Sequence, residues 1–211
     1  MKDGPLVGDA GAAAAILAHI RKHIGPVDSV FHQLESPDMA IDIHHVPPKK
    51  GHDCHTLVTT GMSDRPMPKG AGVRFGELVM SLLPDWPMSD DALDEDSAAW
   101  PIAMLRALGR LPHEHGVAYD FGLCIDGGRL PFDMAADTGF AGVLLAPPVT
   151  ISDAFWCLDV GSGKVIDFFG VVMLNPDEMA LAKSEGVVAL AHGLDVLKVT
   201  ELVRPGRESA S

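Results

Sequence analysis

The stretch His55-Thr-Leu-Val-Thr-Thr-Gly-Met-Ser-Asp-Arg-Pro-Met67, "HTLVTTGMSDRPM", decides how the rest of the chain is read. Its first six residues are apolar and β-branched and predict a strand over 55–60. The strand stops at Gly61, and Met62-Ser63-Asp64 follows as turn chemistry. Gly61-Met62-Ser63 also supplies half of the G-x-S-x-G nucleophile elbow, which needs a strand, a tight Gly-flanked turn and an immediate helix. Here the fifth position is Arg65, and a helix capped by Ser63 would meet Pro68 past its tolerated first turn. Gly70 and Gly72 lie just beyond. The stretch therefore reads as a strand closing in a glycine-dependent turn, with a hydrolase using Ser63 as the alternative.

Upstream, "SVFHQLES" (29–36) and "MAIDIHHV" (39–46) alternate apolar and polar positions, and Pro47-Pro48 closes the second. With 55–60 they predict a three-stranded antiparallel meander. Before them, "AAAAILAHIRKHIG" (12–25) is a helix with Ile16, Ile20 and Ile24 spaced by four and Gly25 as terminator. Downstream, 64–73 is a Pro/Gly loop, and "FGELVMSLLPDWP" (75–87) predicts one or two helical turns ending before Pro84. "MSDDALDEDS" (88–97) is an acidic, solvated connection with Ser97 as N-cap of a helix over 98–111. Pro101 falls in that helix's first turn and Pro112 ends it.

The second half predicts strands in 116–126, 140–148, 154–160 and 165–174, with Gly127-Gly128 as a turn and Gly161-Ser162-Gly163 as a hairpin. A single helix is expected over 175–194, capped by Asn175 with Pro176 at its first position. Strands in clusters with helices between them predict an α+β domain with a mixed, mainly antiparallel central sheet flanked by helices. The expected organisation is an N-terminal helix leading in over 1–27, the domain itself over 28–202, and a polar, frayed tail over 203–211.

At 211 residues the chain fits one domain with a real core. Its 29 acidic and 16 basic residues give a formal charge of −13, which repels a phosphate backbone and an anionic membrane surface and permits a basic protein partner. Cys54, Cys124 and Cys157 are far apart and show no C-x-x-C spacing, which suits a reduced compartment. The alanine-rich run Ala12–Ala18 is interrupted by His19, Arg21, Lys22 and His23 before it reaches signal or membrane length. The expectation is a cytoplasmic, soluble protein.

His44, His45, His52, Asp53, Cys54 and His55 crowd one window. On a strand His44 and His45 point to opposite faces, so they cannot share one ion. His52, Cys54 and His55 lie in a turn and could converge, but the second ligand pair of a structural zinc site is missing. His113-Glu114-His115 lacks the H-E-x-x-H spacing. Asp42 between Ile41 and Ile43 reads as a polar-face strand residue rather than a general base, and Trp86 and Trp100 read as core anchors. Neither glycine cluster forms a phosphate-cradling pattern, so no cofactor is expected.

Several stretches together resemble the suppressor of fused family in its bacterial single-domain form. They are "IDIHHVPP" (41–48), "HTLVTTGMSDRPM" (55–67), "GELVMSLLPDWP" (76–87), "WPIAMLRALGRLPHEHG" (100–116), "FAGVLLAPP" (140–148) and "FFGVVMLNPDEMALAKSEG" (168–186). The T-T-G-M-S-x-x-P-M string and L-P-x-x-W-P are the specific ones. The resemblance implies a non-enzymatic α+β protein-interaction domain, whose animal relatives sequester a transcription factor and grip a short peptide partly by strand addition. Its bacterial relatives look like immunity proteins of polymorphic toxin systems, and an acidic domain is consistent with masking a basic toxin. The candidate partner-binding residues are Met62, Ser63, Asp64, Arg65 and Met67 with Asp85 and Trp86. Two rivals stay open: an enzyme using Ser63 or a metal on His52, Cys54 and His55, and a homo-oligomeric regulatory or scaffold protein.

Overall fold

Among the residues described in a computed structural model, 9–33, 39–68, 74–129 and 138–210, every strand joins one nine-stranded sheet. The meander forms as its pattern requires. Strands β1 (Ser29–Phe31), β2 (Asp42–Val46) and β3 (His55–Thr60) pair antiparallel in sequence order, with Val30 opposite His44 and Ile43 opposite Thr59.

The next segment departs from expectation. Residues 75–82 are not helical turns but strand β4 (Phe75–Leu82), antiparallel to β3 and parallel to β8 (Val165–Leu174). All its residues from Gly76 onward are buried. A strand covered on both faces shows no alternation, so its apolar run cannot be told from a short helix by period alone. The sheet continues through β6 (Gly142–Ala146) to the edge strand β5 (Cys124–Asp126). Strand β7 (Cys157–Asp159) returns through Gly161-Ser162-Gly163 to pair with β8, the expected hairpin. The expected strand over 116–126 shrinks to β5.

Alternation along β8 assigns the two faces. Phe169, Val171 and Met173 join Ile43, Leu57, Leu78 and Met80 under helix α3 (Asp96–His115). Ile166 and Phe168 face the other way, against Ile16 and Ile20 of helix α1 (Ala10–His23). Val172 and Leu174 share that second face and pack on Leu190 and Leu194. Those leucines belong to a helical pair, α4 (Pro176–Glu185) and α5 (Val187–Val196). The expected single helix over 175–194 breaks at Gly186, whose φ of +89° favours glycine.

Helix α3 begins at Asp96, ahead of the expected cap Ser97, and Ser89 instead caps the short α2 (Asp90–Leu93). It also runs past Pro112 to a left-handed Gly116. Proline there deprives the Leu108 carbonyl of its helical partner. Tyr119 restores it, donating from its hydroxyl at 2.6 Å.

The tail is not frayed. Strand β9 (Leu202–Val203) lies parallel to the end of β4, opposite Ser81 and Leu82. Beyond it, Arg207 reaches back to Glu178 of α4 through two contacts of 2.6 Å and donates to the Met173 carbonyl at 2.8 Å. Gly193 of α5 makes room, since a Cβ there would lie 2.3 Å from the Ala210 carbonyl oxygen. Among the described residues, no helix is long and apolar enough to cross a membrane.

Candidate functional site

Strand β3 ends at Gly61, whose φ is +104° and whose Cβ, if present, would sit 2.2 Å from the Ala40 carbonyl oxygen. Only glycine turns the chain there. A 3-10 turn, Met62–Asp64, follows, and Arg65 is already extended, so the helix of a nucleophile elbow does not form. The turn presents Ser63 inward. Its backbone N–H (3.0 Å) and its hydroxyl (2.6 Å) both donate to Oε1 of Glu77, a fully buried residue of β4. Thr59 donates to Oε2 of the same carboxyl at 2.6 Å and accepts from the Leu78 N–H at 2.8 Å.

Burial pushes the Glu77 carboxyl up to about 7, against the lowering effect of its three hydrogen bonds. Ser63 is thus a structural donor to a buried acid with no histidine on it. From α3, the half-buried imidazole of His113 lies near the Met62 backbone, on the other side of the turn.

Met62, Ser63 and Met67 are buried at 0%, 1% and 4% exposure, so these three candidates are core and not docking residues. Asp64, Arg65, Asp85 and Trp86 do reach the surface, but as two separate places. The 62–65 turn lies beside Glu77 near the start of β4, whereas Asp85 follows its end, roughly 20 Å further along an extended strand.

Trp86 donates its Nε1–H to the Ala98 carbonyl at 3.1 Å and meets Trp100 edge-on at 5.8 Å between ring centroids. This fixes the loop that carries Asp85. From there, Asp90, Asp91, Asp94, Glu95 and Asp96 are all exposed, and the sequence holds no Lys or Arg between Arg74 and Arg106. The result is an acidic ridge over α2 and the start of α3, underlain by half-buried Trp86, Met88 and Leu93.

The histidine window separates by strand face. His44 lies against Thr60 (Nε2 to Oγ1, 3.1 Å). His52 contacts Thr56 Oγ1 at 2.7 Å and the Cys54 sulfur at 3.4 Å, while burial pushes that thiol up. His55 is directed elsewhere. Its Nε2 is 3.3 Å from the Pro84 carbonyl and its Nδ1 is 2.8 Å from Nε2 of His45, whose Nδ1 is 3.1 Å from the Ser29 hydroxyl. A carbonyl only accepts, so His55 must donate from Nε2 and accept at Nδ1. His45 therefore donates from Nε2, and Ser29 donates to its Nδ1. This one-way chain ties edge strand β1 to the Pro84–Trp86 loop. Desolvation and the neighbouring His55 lower His45 to about 4. No group of three or more His, Cys, Asp or Glu that could hold a metal ion occurs among the described residues.

Sequence reasoning missed Glu77, the His45–His55 chain and the Glu178–Arg207 clasp. The one available signal was a lone acid inside the apolar run "FGELVMSLL".

The sequence profile of the family described as "Suppressor of fused protein (SUFU)" matches residues 37–208. A crystal structure described as a SUFU homologue from Neisseria gonorrhoeae superposes with a TM-score of 0.66 at 15% identity, covering 94% of this chain and 96% of that one. The structure of a Sufu–Fu complex matches with a TM-score of 0.63 at 16% identity, covering 99% and 93%. At such identities the likeness shows a shared fold. No curated protein sequence matches the chain.

Proposed function

Because the chain belongs to the suppressor of fused protein family, we propose that it is a non-catalytic protein-interaction domain that takes a basic partner on its acidic ridge. The observation that carries this reading is the ridge itself: Asp85, Asp90, Asp91, Asp94, Glu95 and Asp96 exposed together, with Trp86 at their base. Charge complementarity of this kind speeds encounter and selects partners. A protein of similar fold has been captured as a Sufu–Fu complex, which supports partner binding as the role of the fold. Ser63, the one residue with a nucleophile's sequence context, is engaged with Glu77, which favours a non-enzymatic role.

The finer reading is an immunity protein that masks a basic toxin domain in the cytoplasm, where Cys54, Cys124 and Cys157 stay free thiols. A peptide adding to β1 or β5, the two ends of the sheet order, is the other form of partner that the fold accommodates.

The test is a pull-down of the protein encoded beside this gene, followed by titration at two salt concentrations. Affinity should fall with salt and fall about tenfold or more on Asp90→Lys with Asp91→Lys. Failure to capture any neighbouring protein ends the immunity reading. Capture with unchanged affinity in the double variant moves the interface off the ridge.

A further inference from the structure

The few cations of this acidic chain are mostly engaged. Arg74 bridges Asp120 and Asp167, Lys164 pairs with Asp9, Lys183 with Asp126, Lys198 with Asp195, and Arg207 with Glu178. Arg106 donates to the Phe31 and His32 carbonyls, and Arg110 reaches Gln33 and Glu114. Five exposed cations, Arg21, Lys22, Lys49, Lys50 and Arg204, have neither an ion pair nor a side-chain hydrogen bond among the described residues, and the first four sit together at one end of the molecule. Arg21 and Lys22 lie in the last turn of α1, and Lys49 and Lys50 in the β2–β3 hairpin.

The juxtaposition is geometric. A Cβ on Gly25, just past α1, would lie 3.0 Å from the Lys49 ammonium nitrogen and 3.2 Å from Val46, so the absent side chain lets Lys49 lie across the helix end. Arg21 is close enough to His44 of β2 to disfavour its charged form, and Lys49 acts likewise on His52. The hairpin is closed by reciprocal backbone bonds between Lys49 and His52, both 2.9 Å, and Lys49 and Lys50 are both exposed. The nearby acids are Asp28 and Asp53, both exposed and neither in an ion pair within the described residues. Asp28 acts on His45 and Asp53 on His52.

We propose that the end of α1 and the β2–β3 hairpin form a docking surface for a short acidic peptide segment of a partner protein. The choice of occupant follows from two charge scales. Over the whole molecule the charge of −13 repels extended polyanions, which sets nucleic acid and an anionic membrane aside. Within a Debye length of about 8 Å, a bound segment meets only the local cations. Arg21 can take a carboxylate through two parallel N–H bonds, and each lysine supplies a compact charge. This surface is distinct from the acidic ridge and opposite in sign, so it does not rest on the ridge binding anything.

The probe is fluorescein-labelled decaglutamate, followed by fluorescence anisotropy at 50 and 300 mM NaCl with a neutral Gly/Ser decamer as control. Saturable binding is expected at low salt, weakened roughly tenfold at high salt and by about the same factor in Lys49→Ala with Lys50→Ala. Arg204→Ala, a free cation elsewhere, should leave it unchanged, and circular dichroism melts confirm that each variant folds. No saturable binding at 50 mM overturns the proposal, as does binding indifferent to the double variant. Tighter binding to phosphatidylserine vesicles than to the peptide would make the patch a membrane contact. Concentration-dependent self-association abolished by Lys49→Glu would give it to a second copy.

Discussion

Among the described residues three glutamates, Glu77, Glu178 and Glu201, are fully buried, and the first two are held in opposite ways. Glu178 faces Arg207 through two 2.6 Å contacts and accepts backbone N–H bonds from Asn175 and Ala210, both at 2.8 Å. These partners outweigh burial and keep its carboxyl below the ordinary range. Glu77 has hydroxyls and one N–H but no cation, and burial lifts it to about 7. Comparison of the two shows what a buried acid can be used for. One fastens the tail through charge, and the other organises a turn and ionises only near pH 7.

Arg207→Ala breaks the first arrangement and has the largest expected effect. It strands a buried carboxylate, so stability should fall by about 4 kcal/mol in urea unfolding. Backbone amides over 203–210 should lose hydrogen-exchange protection first, because the clasp and Ala210 go together. Equal loss of protection across β3 and β4 would show that the tail is not a separate unit.

The pH dependence of Glu77 comes next and has a counterpart on β2. Glu77 keeps its proton to about pH 7 when folded and releases it near 4.5 when unfolded. Its contribution is complete below 4.5 and lost as pH rises to 7, by about 3 kcal/mol. His45 runs the other way, with a folded value of about 4 against 6.5. Its contribution is complete above 6.5 and lost as pH falls to 4, again by about 3 kcal/mol. Relative to wild type, Glu77→Gln should therefore gain stability from pH 4.5 to 7. His45→Gln, which can still accept from Ser29 and donate to His55, should gain from pH 6.5 down to 4. Parallel stability–pH curves for wild type and either variant would refute the assignment of that group.

These groups were not legible in the sequence, and the reason differs between neighbouring strands. Strand β3 announces itself through Thr56, Val58, Thr59 and Thr60 ending at a glycine. Strand β4 is buried from Gly76 to Leu82, so nothing alternates and its apolar run resembles a helix. The α+β class, the meander and the hairpin at Gly161-Ser162-Gly163 rest on local turn chemistry and were readable. The clasp joins residues 29 apart and the Ser63–Glu77 bonds residues 14 apart, which no local pattern encodes. Of the candidate site, Asp85 and Trp86 kept their place at the surface. Met62, Ser63 and Met67 turned inward. The specificity of the T-T-G-M-S string is explained by Ala40, the core and Glu77, which its residues meet.

Ser63→Ala probes the hydroxyl cradle alone. It removes one of the two donors to Oε1 while leaving the backbone N–H in place, so the loss should be about 2 kcal/mol near neutral pH. Because that hydroxyl lowers the Glu77 value, its removal should push the carboxyl further up. The loss should consequently be smaller at pH 4.5, where the acid is protonated and needs fewer donors. A loss that is the same at both pH values would mean that Ser63 contributes packing only.

The smallest effect sharpens the other half of the comparison. Lys198 and Asp195 make the same kind of contact as Arg207 and Glu178, at 3.1 Å, but both side chains are 79% exposed. Water screens the pair, and neither charge is stranded when its partner goes. Lys198→Ala should therefore change stability by no more than about 0.5 kcal/mol, with no change in protection over 203–210. Lys198 also has a positive φ of 55°, which a non-glycine residue adopts at some strain. Lys198→Gly separates that contribution, since it removes the charge as alanine does but relieves the backbone. Lys198→Gly should accordingly be the more stable of the two. A loss from Lys198→Ala approaching that of Arg207→Ala would mean that charge pairing, and not burial, sets the strength of the clasp.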